Sequence, residues 1–117
     1  MRKRVLVLDD EYLIVMDLER MLQDLGMDIV GPATNLKSAL ELARTQPIDC
    51  AILDINLGDG TFSCPVADVL SQRGIPFAFA TGYGSEIRMP DQHNARPKLR
   101  KPFTMRGLQQ VIQAICP

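Results

Sequence analysis

The chain has 117 residues, 46% of them hydrophobic, which is the size of one domain with room for a packed core. Its 13 basic and 14 acidic residues leave a net charge of -1, so no bulk field points to nucleic acid or an anionic membrane, and function must come from local clusters. Three widely spaced cysteines, Cys50, Cys64 and Cys116, argue against a disulfide framework or a zinc site and suit small core residues in a reducing compartment.

The first element is the apolar run VLVL, residues 5–8, which reads as a strand. It follows a basic head, but four residues are too few for a signal sequence, and no stretch approaches the roughly 20 apolar residues of a membrane span. The N-terminal RKR is read as a solvated strand start, and a cytoplasmic protein is expected. Leu18, Met21, Leu22 and Leu25 recur at helical spacing and stop at Gly26, a suitable C-terminal cap. MDIVGPA, 27–33, supplies a second strand. Asn35 is placed to cap a helix with an apolar face of Leu36, Ala39, Leu40 and Ala43, ended by TQP. CAILDI, 50–55, is the third strand. Ser63 is expected to cap the next helix, with Pro65 in its first turn, Val66, Val69 and Leu70 inward, and Gly74 closing it. IPFAFAT, 75–81, is the fourth strand and KLRKPF, 98–103, the fifth. Thr104 can cap a last helix through Leu108, Val111, Ile112 and Ile115. Between the last two strands lies 82–97, where Gly82, Gly84, Pro90 and Pro97 leave space for a turn or two of helix around Ser85 to Met89. Strands alternating with helices imply right-handed crossovers and a parallel sheet covered on both faces, a small doubly wound α/β domain.

Ligands of such sheets bind beyond the carboxyl ends of the strands. The first strand ends in Asp9-Asp10-Glu11, the third in Asp54, the fourth in Thr81, and the last carries Lys101. Singly, Asp9 or Asp10 reads as a helix cap, Thr81 as a strand residue and Lys101 as a surface charge. Together, carboxylates converging from adjacent strands repel one another unless a cation sits among them, and all-oxygen ligands favour magnesium or a similar ion such as manganese. The carbonyl of Asn56, two residues after Asp54, is a further candidate ligand. A lysine and a hydroxyl beside that ion suit a phosphoryl group, and Asp54 is then placed as a nucleophile able to form an acyl phosphate.

VLVLDDE, AILDINL, FATGY and LRKPF, in this order and spacing, resemble the receiver domain of two-component response regulators over essentially the whole chain. The resemblance implies a flavodoxin-like fold of five parallel strands in order 2-1-3-4-5, an order for which a chemotaxis receiver is itself a standard example. It implies Asp54 as phosphoacceptor, Asp9 and Asp10 as the acidic pair, Asn56 as carbonyl ligand, Thr81 as switch hydroxyl and Lys101 as the family's lysine. The implied donor is a histidine kinase or histidine phosphotransfer protein. PFAFATGYG further resembles a stand-alone subgroup associated with alphaproteobacteria and their stress signalling. On these grounds the chain is expected to be a single receiver domain without an effector domain, a signalling phosphoacceptor and not a metabolic enzyme, monomeric or weakly dimeric, passing its signal to a partner protein or acting as a phosphate shuttle or sink.

Some positions depart from the usual receiver pattern. Gly82 follows the switch threonine where a residue with a side chain is common, and it loosens the loop. Lys98 occupies the place of the aromatic switch, three residues before Lys101, so Tyr83 is the alternative partner for a switch, its plainer reading being loop packing. The fourth helix of the receiver plan is expected to be shortened or irregular. The Lys101-Pro102 bond, being X-Pro, is able to be cis, a form that would help aim the lysine inward; the resemblance to receivers supports it, and the sequence alone leaves it open. His93, in the polar loop PDQHNARP, reads as solvated. Other classes fit less well. A haloacid-dehalogenase-type phosphatase needs an Asp-x-Asp nucleophile motif, and Asp9-Asp10-Glu11 does not provide one. A calcium loop starting at Asp54 needs an acid and then glycine where Gly58 and Asp59 stand reversed, and it lacks the closing Glu. A pseudo-receiver would be expected to have lost an acceptor or metal ligand, and here the set is whole.

Overall fold

A computed structural model describes residues 2–55, 57, 63–81 and 96–116. In chain order they form β1 (Arg4–Leu8), α1 (Tyr12–Asp24), β2 (Asp28–Ala33), α2 (Leu36–Thr45), β3 (Cys50–Asp54), α3 (Cys64–Gln72), β4 (Phe77–Thr81), β5 (Lys98–Arg100) and α4 (Met105–Ile115). The five strands make one parallel sheet in the order β2-β1-β3-β4-β5. This is the flavodoxin-like receiver arrangement expected from the sequence. The expectation of a short or irregular helix concerns 82–97, of which 82–95 lie outside the described residues.

Period-two alternation divides the core between the two faces of the sheet. Leu6 and Leu8 of β1, Ala51 and Leu53 of β3, and Phe77 and Phe79 of β4 pack with Ala39 and Ala43 of α2 and Val66, Ala67 and Leu70 of α3. Val5 and Val7, Cys50 and Ile52, and Ala78 and Ala80 face the other way, against Leu18 and Leu22 of α1 and Leu108, Val111 and Ile112 of α4. The three central strands are therefore apolar on both sides, as parallel strands between helix layers must be. Phe77 and Phe79 meet edge to face with centroids 5.5 Å apart. Burying a side chain such as Leu6 or Phe77 completely contributes roughly 1.5–3 kcal/mol, so these rows dominate stability. Pro32 lies in an edge strand, where its missing N–H costs no ladder bond.

Local chemistry sets the helix ends. Asn35 Oδ1 accepts from the Ser38 N–H at 2.8 Å to start α2, and Thr104 Oγ1 accepts from the Gly107 N–H at 3.0 Å to start α4. Gly26 ends α1 with a φ of +77°, a left-handed conformation open to glycine. The expected side-chain cap at Ser63 is not made. Ser63 has φ -83° and ψ 0° instead of the extended backbone that aims a cap, and its buried hydroxyl has no partner among the described residues. Two of the three cysteines also differ from expectation, since Cys64 and Cys116 are only half-buried while Cys50 is fully in the core. Met21, Leu25, Leu36, Leu40 and Val69 are likewise half-buried at the margins of the two cores. No helix among the described residues is long and apolar enough to cross a membrane.

Candidate functional site

The alternation that builds the core also builds the site. Asp9 continues the row of Val5 and Val7, and Asp54 continues that of Cys50 and Ile52, so both carboxylates leave the sheet on the α1/α4 side. Leu8 is in register with Leu53, which makes Asp9 and Asp54 the next neighbours along the parallel pair, on strands about 4.8 Å apart. A register shift in β2 between the partners of Leu6 and Leu8 lets Ala33 reach the end of β1, where its carbonyl accepts from the Asp9 N–H at 3.1 Å. Gly31 allows this irregularity, with φ +95° and a backbone so close that an added Cβ would lie 2.7 Å from the Ala33 nitrogen.

Lys101 comes from the far edge. Its backbone N–H donates to the Thr81 carbonyl at 2.8 Å, continuing the register in which Thr81 pairs with Arg100. From there its side chain must cross β4 to arrive at β3 and β1. The β4 residue paired with Asp54 is Ala80, buried and only a methyl long. The ammonium lies 2.9 Å from Asp9 Oδ2, 3.1 Å from Glu11 Oε1 and 3.4 Å from Asp54 Oδ2. The Lys101-Pro102 peptide is cis, as is Gly31-Pro32.

These groups are taken out of water. Asp9 is 2% and Asp54 6% exposed, whereas Asp10 and Glu11 line the open side. Burial, then the neighbouring Asp9 charge, pushes the Asp54 carboxyl up to about 7, against the downward pull of Lys101; Asp10 adds to the rise. Lys101 goes the other way: burial disfavours its charge, but the bond to Asp9 and the charges of Asp54 and Asp9 outweigh it and raise the ammonium to about 12. One cation thus serves several anions and does not neutralise them. Oxygens of Asp9, Asp10, Glu11 and Asp54 all lie within 4.8 Å of one another, a hard donor set suited to magnesium or manganese. The unrelieved charge at Asp54 fits such an ion, since a second cation would hold that carboxyl ionised.

The structure therefore brings together Asp9, Asp10, Asp54 and Lys101 and places Thr81 at the end of the strand between the last two. Asn56, Gly82, Tyr83 and His93 lie outside the described residues. Lys98, at the position of the usual aromatic switch, is exposed on β5. Two features escaped the sequence reading. Glu11 stood in the acidic run without a role, yet it is an ion-pair partner of Lys101; its location just before α1, beside the cluster, was the available signal. The hydroxyl of Ser63, without a partner among the described residues, carried no sequence signal at all.

Comparison with known proteins places these residues in context. The family model described as the response regulator receiver domain matches residues 5–113. The chain is 31% identical over 113 residues to the transcriptional regulatory protein PdtaR of Mycobacterium tuberculosis, covering 95% of this chain and 55% of that protein. It is 31% identical over 114 residues to the phyllosphere-induced regulator PhyR of Methylorubrum extorquens, covering 96% of this chain and 43% of the relative. The chain thus spans about half the length of the curated relatives it matches. Among solved structures, the solution structure of SdrG from Sphingomonas melonis Fr1 superposes with a TM-score of 0.87 at 41% identity, over 99% of this chain and 98% of that one.

Proposed function

Because the chain belongs to the response regulator receiver domain family, we propose that it accepts a phosphoryl group on Asp54 from a phosphohistidine of a kinase or phosphotransfer protein and signals by the change this causes. The observation that supports this most is the buried Lys101 ammonium, shared by Asp9 and Asp54 at the ends of adjacent strands beside an open acidic cluster. In the proposed reaction an Asp54 oxygen attacks phosphorus, a P–O bond forms, and the N–P bond breaks with its electron pair going to the departing imidazole. Lys101 follows the charge onto the phosphoryl oxygens, and the Thr81 hydroxyl donates a hydrogen bond to one of them. Asp9, Asp10 and Asp54, with the carbonyl of Asn56, are the residues to hold a divalent cation, whose chemistry is to neutralise the phosphoryl charge during transfer. Asp54 would enter the reaction ionised, and a second cation beside it would favour that form against the burial and the Asp9 charge that raise its pKa.

The new acyl phosphate adds charge where Asp54, Thr81 and Lys101 meet, and this biases the loops after β3 and β4 between two arrangements. With Lys98 in the aromatic switch position, Tyr83, next to Gly82, takes that part in our reading. The donor has a surface to meet beside the site: Tyr12, Leu13 and Met16, spaced to share one side of α1, are exposed apolar residues just beyond the acidic run. We place the protein in the cytoplasm, as a signalling receiver and not a metabolic enzyme, with output through a protein partner or as a phosphate shuttle.

Intact-mass measurement after incubation with magnesium and acetyl phosphate tests the acceptor. One phosphoryl adduct is expected on the parent and none on Asp54→Asn. An unmodified parent, or an equal adduct on the variant, would remove the assignment.

A further inference from the structure

The three N–H bonds of the Lys101 ammonium have three carboxylate partners, and these are not equivalent. Asp9 is fixed: it is buried, and its other oxygen accepts from the Glu11 N–H at 2.9 Å. Asp54 is the most distant, at 3.4 Å. Glu11 lies closer to the ammonium than Asp54 does, at 3.1 Å, although its side chain is 60% exposed. Its side chain has no capping task, since Glu11 stands at the N-cap position before α1 without a side-chain cap bond, and Lys101 is its only ion-pair partner among the described residues. A carboxylate that water can resolvate as soon as it is released is the easiest of the three to give up. The geometry points to Glu11 as a positioning residue that holds Lys101 away from Asp54 and yields the ammonium when a phosphoryl group arrives. Glu11 thereby sets how readily the protein is phosphorylated, through Lys101 and without touching the reacting atoms.

This inference rests on the acceptor reading of Asp54, and the test separates the two. Phosphorylation of the parent and of Glu11→Gln by acetyl phosphate is followed by intact mass over a range of magnesium concentrations, each also in a Lys101→Met background. Exposed ion pairs of this kind are worth about two- to fivefold. Glu11→Gln is expected to raise the phosphorylation rate by about that factor with its magnesium half-saturation unchanged, and to have no effect once Lys101 is replaced. The same four proteins titrated with beryllofluoride, a phosphoryl mimic, give an equilibrium readout independent of slow turnover, with binding to Glu11→Gln tighter by the same factor only when Lys101 is present. Failure of the parent to form any adduct overturns the acceptor reading. If the parent is modified but Glu11→Gln equals it, only the role of Glu11 is overturned. A variant effect that persists without Lys101 assigns Glu11 to the general field of the cluster, and a raised magnesium half-saturation assigns it to the metal; either result overturns the proposal.

Discussion

Replacing Asp54 by asparagine should make the metal-free protein more stable. An ionised Asp54 is confined with Asp9 and Asp10 and, among the described residues, only a shared lysine to offset them, and its pKa rises from 3.8 to about 7. The sign follows from proton binding. Between those two values the folded protein holds a proton that the unfolded chain releases, so the parent gains stability as pH falls from 7 toward 4 and carries the full penalty above 7. About three pKa units at ~1.4 kcal/mol each set a ceiling of about 4 kcal/mol. Local relaxation and counterions reduce the part that a substitution recovers to about 1–3 kcal/mol. The chain has no tryptophan, so urea unfolding followed by far-ultraviolet circular dichroism in EDTA is the suitable assay. Asp54→Asn is expected to unfold at higher urea than the parent at pH 8, with the gap closing toward pH 5. Saturating magnesium should shrink or reverse the gap at pH 8, because the parent alone retains the full set of carboxylates. A variant less stable than the parent at pH 8 in EDTA, or a gap that does not change with pH, would refute the account of Asp54 as a carboxylate under strain from its neighbours.

Lys101→Met removes the only partner among the described residues that reaches Asp9, Glu11 and Asp54 together, and a buried Asp9 left without it should cost about 3–5 kcal/mol in EDTA, seen in the same unfolding assay, with part of the loss restored by magnesium. Leu13→Asp changes a side chain that is 79% exposed, so phosphorylation by acetyl phosphate should proceed at the parent rate while transfer from a cognate phosphohistidine protein falls at least tenfold, measured by radiolabel transfer; equal loss with both donors would place Leu13 in the site and not on its docking rim.

Much of this organisation was legible in short sequence stretches because the forces that set it are local or periodic. VLVL and AILD declared strands buried on both faces, and the acids at their ends followed from chain direction alone. Asn35 and Thr104 announced their helices because a cap needs only a side-chain oxygen and the next turn. Ser63 had the same credentials and failed, because its backbone is not in the extended conformation that aims a cap oxygen at the next turn. The apolar runs overstated the strands: Ile75 is buried outside the ladder, and Phe103 is buried beyond the end of β5. At the site, residue types were enough to assemble Asp9, Asp10, Asp54 and Lys101, but the division of the ammonium among its partners was not written in any motif. It depends on the register of four strands and on the contact of Lys101 with Glu11, 90 residues away in sequence.

The methyl of Ala80 has a consequence for how such a site can vary. It carries no charge and no hydrogen-bonding group, yet it stands opposite Asp54 on the strand that the lysine has to pass. A larger side chain there would obstruct that passage without altering one reactive atom, leaving acid and base intact on opposite banks. Volume at this position is therefore a coarse adjustment of reactivity, open to change by a single branched residue and invisible to any inventory of functional groups.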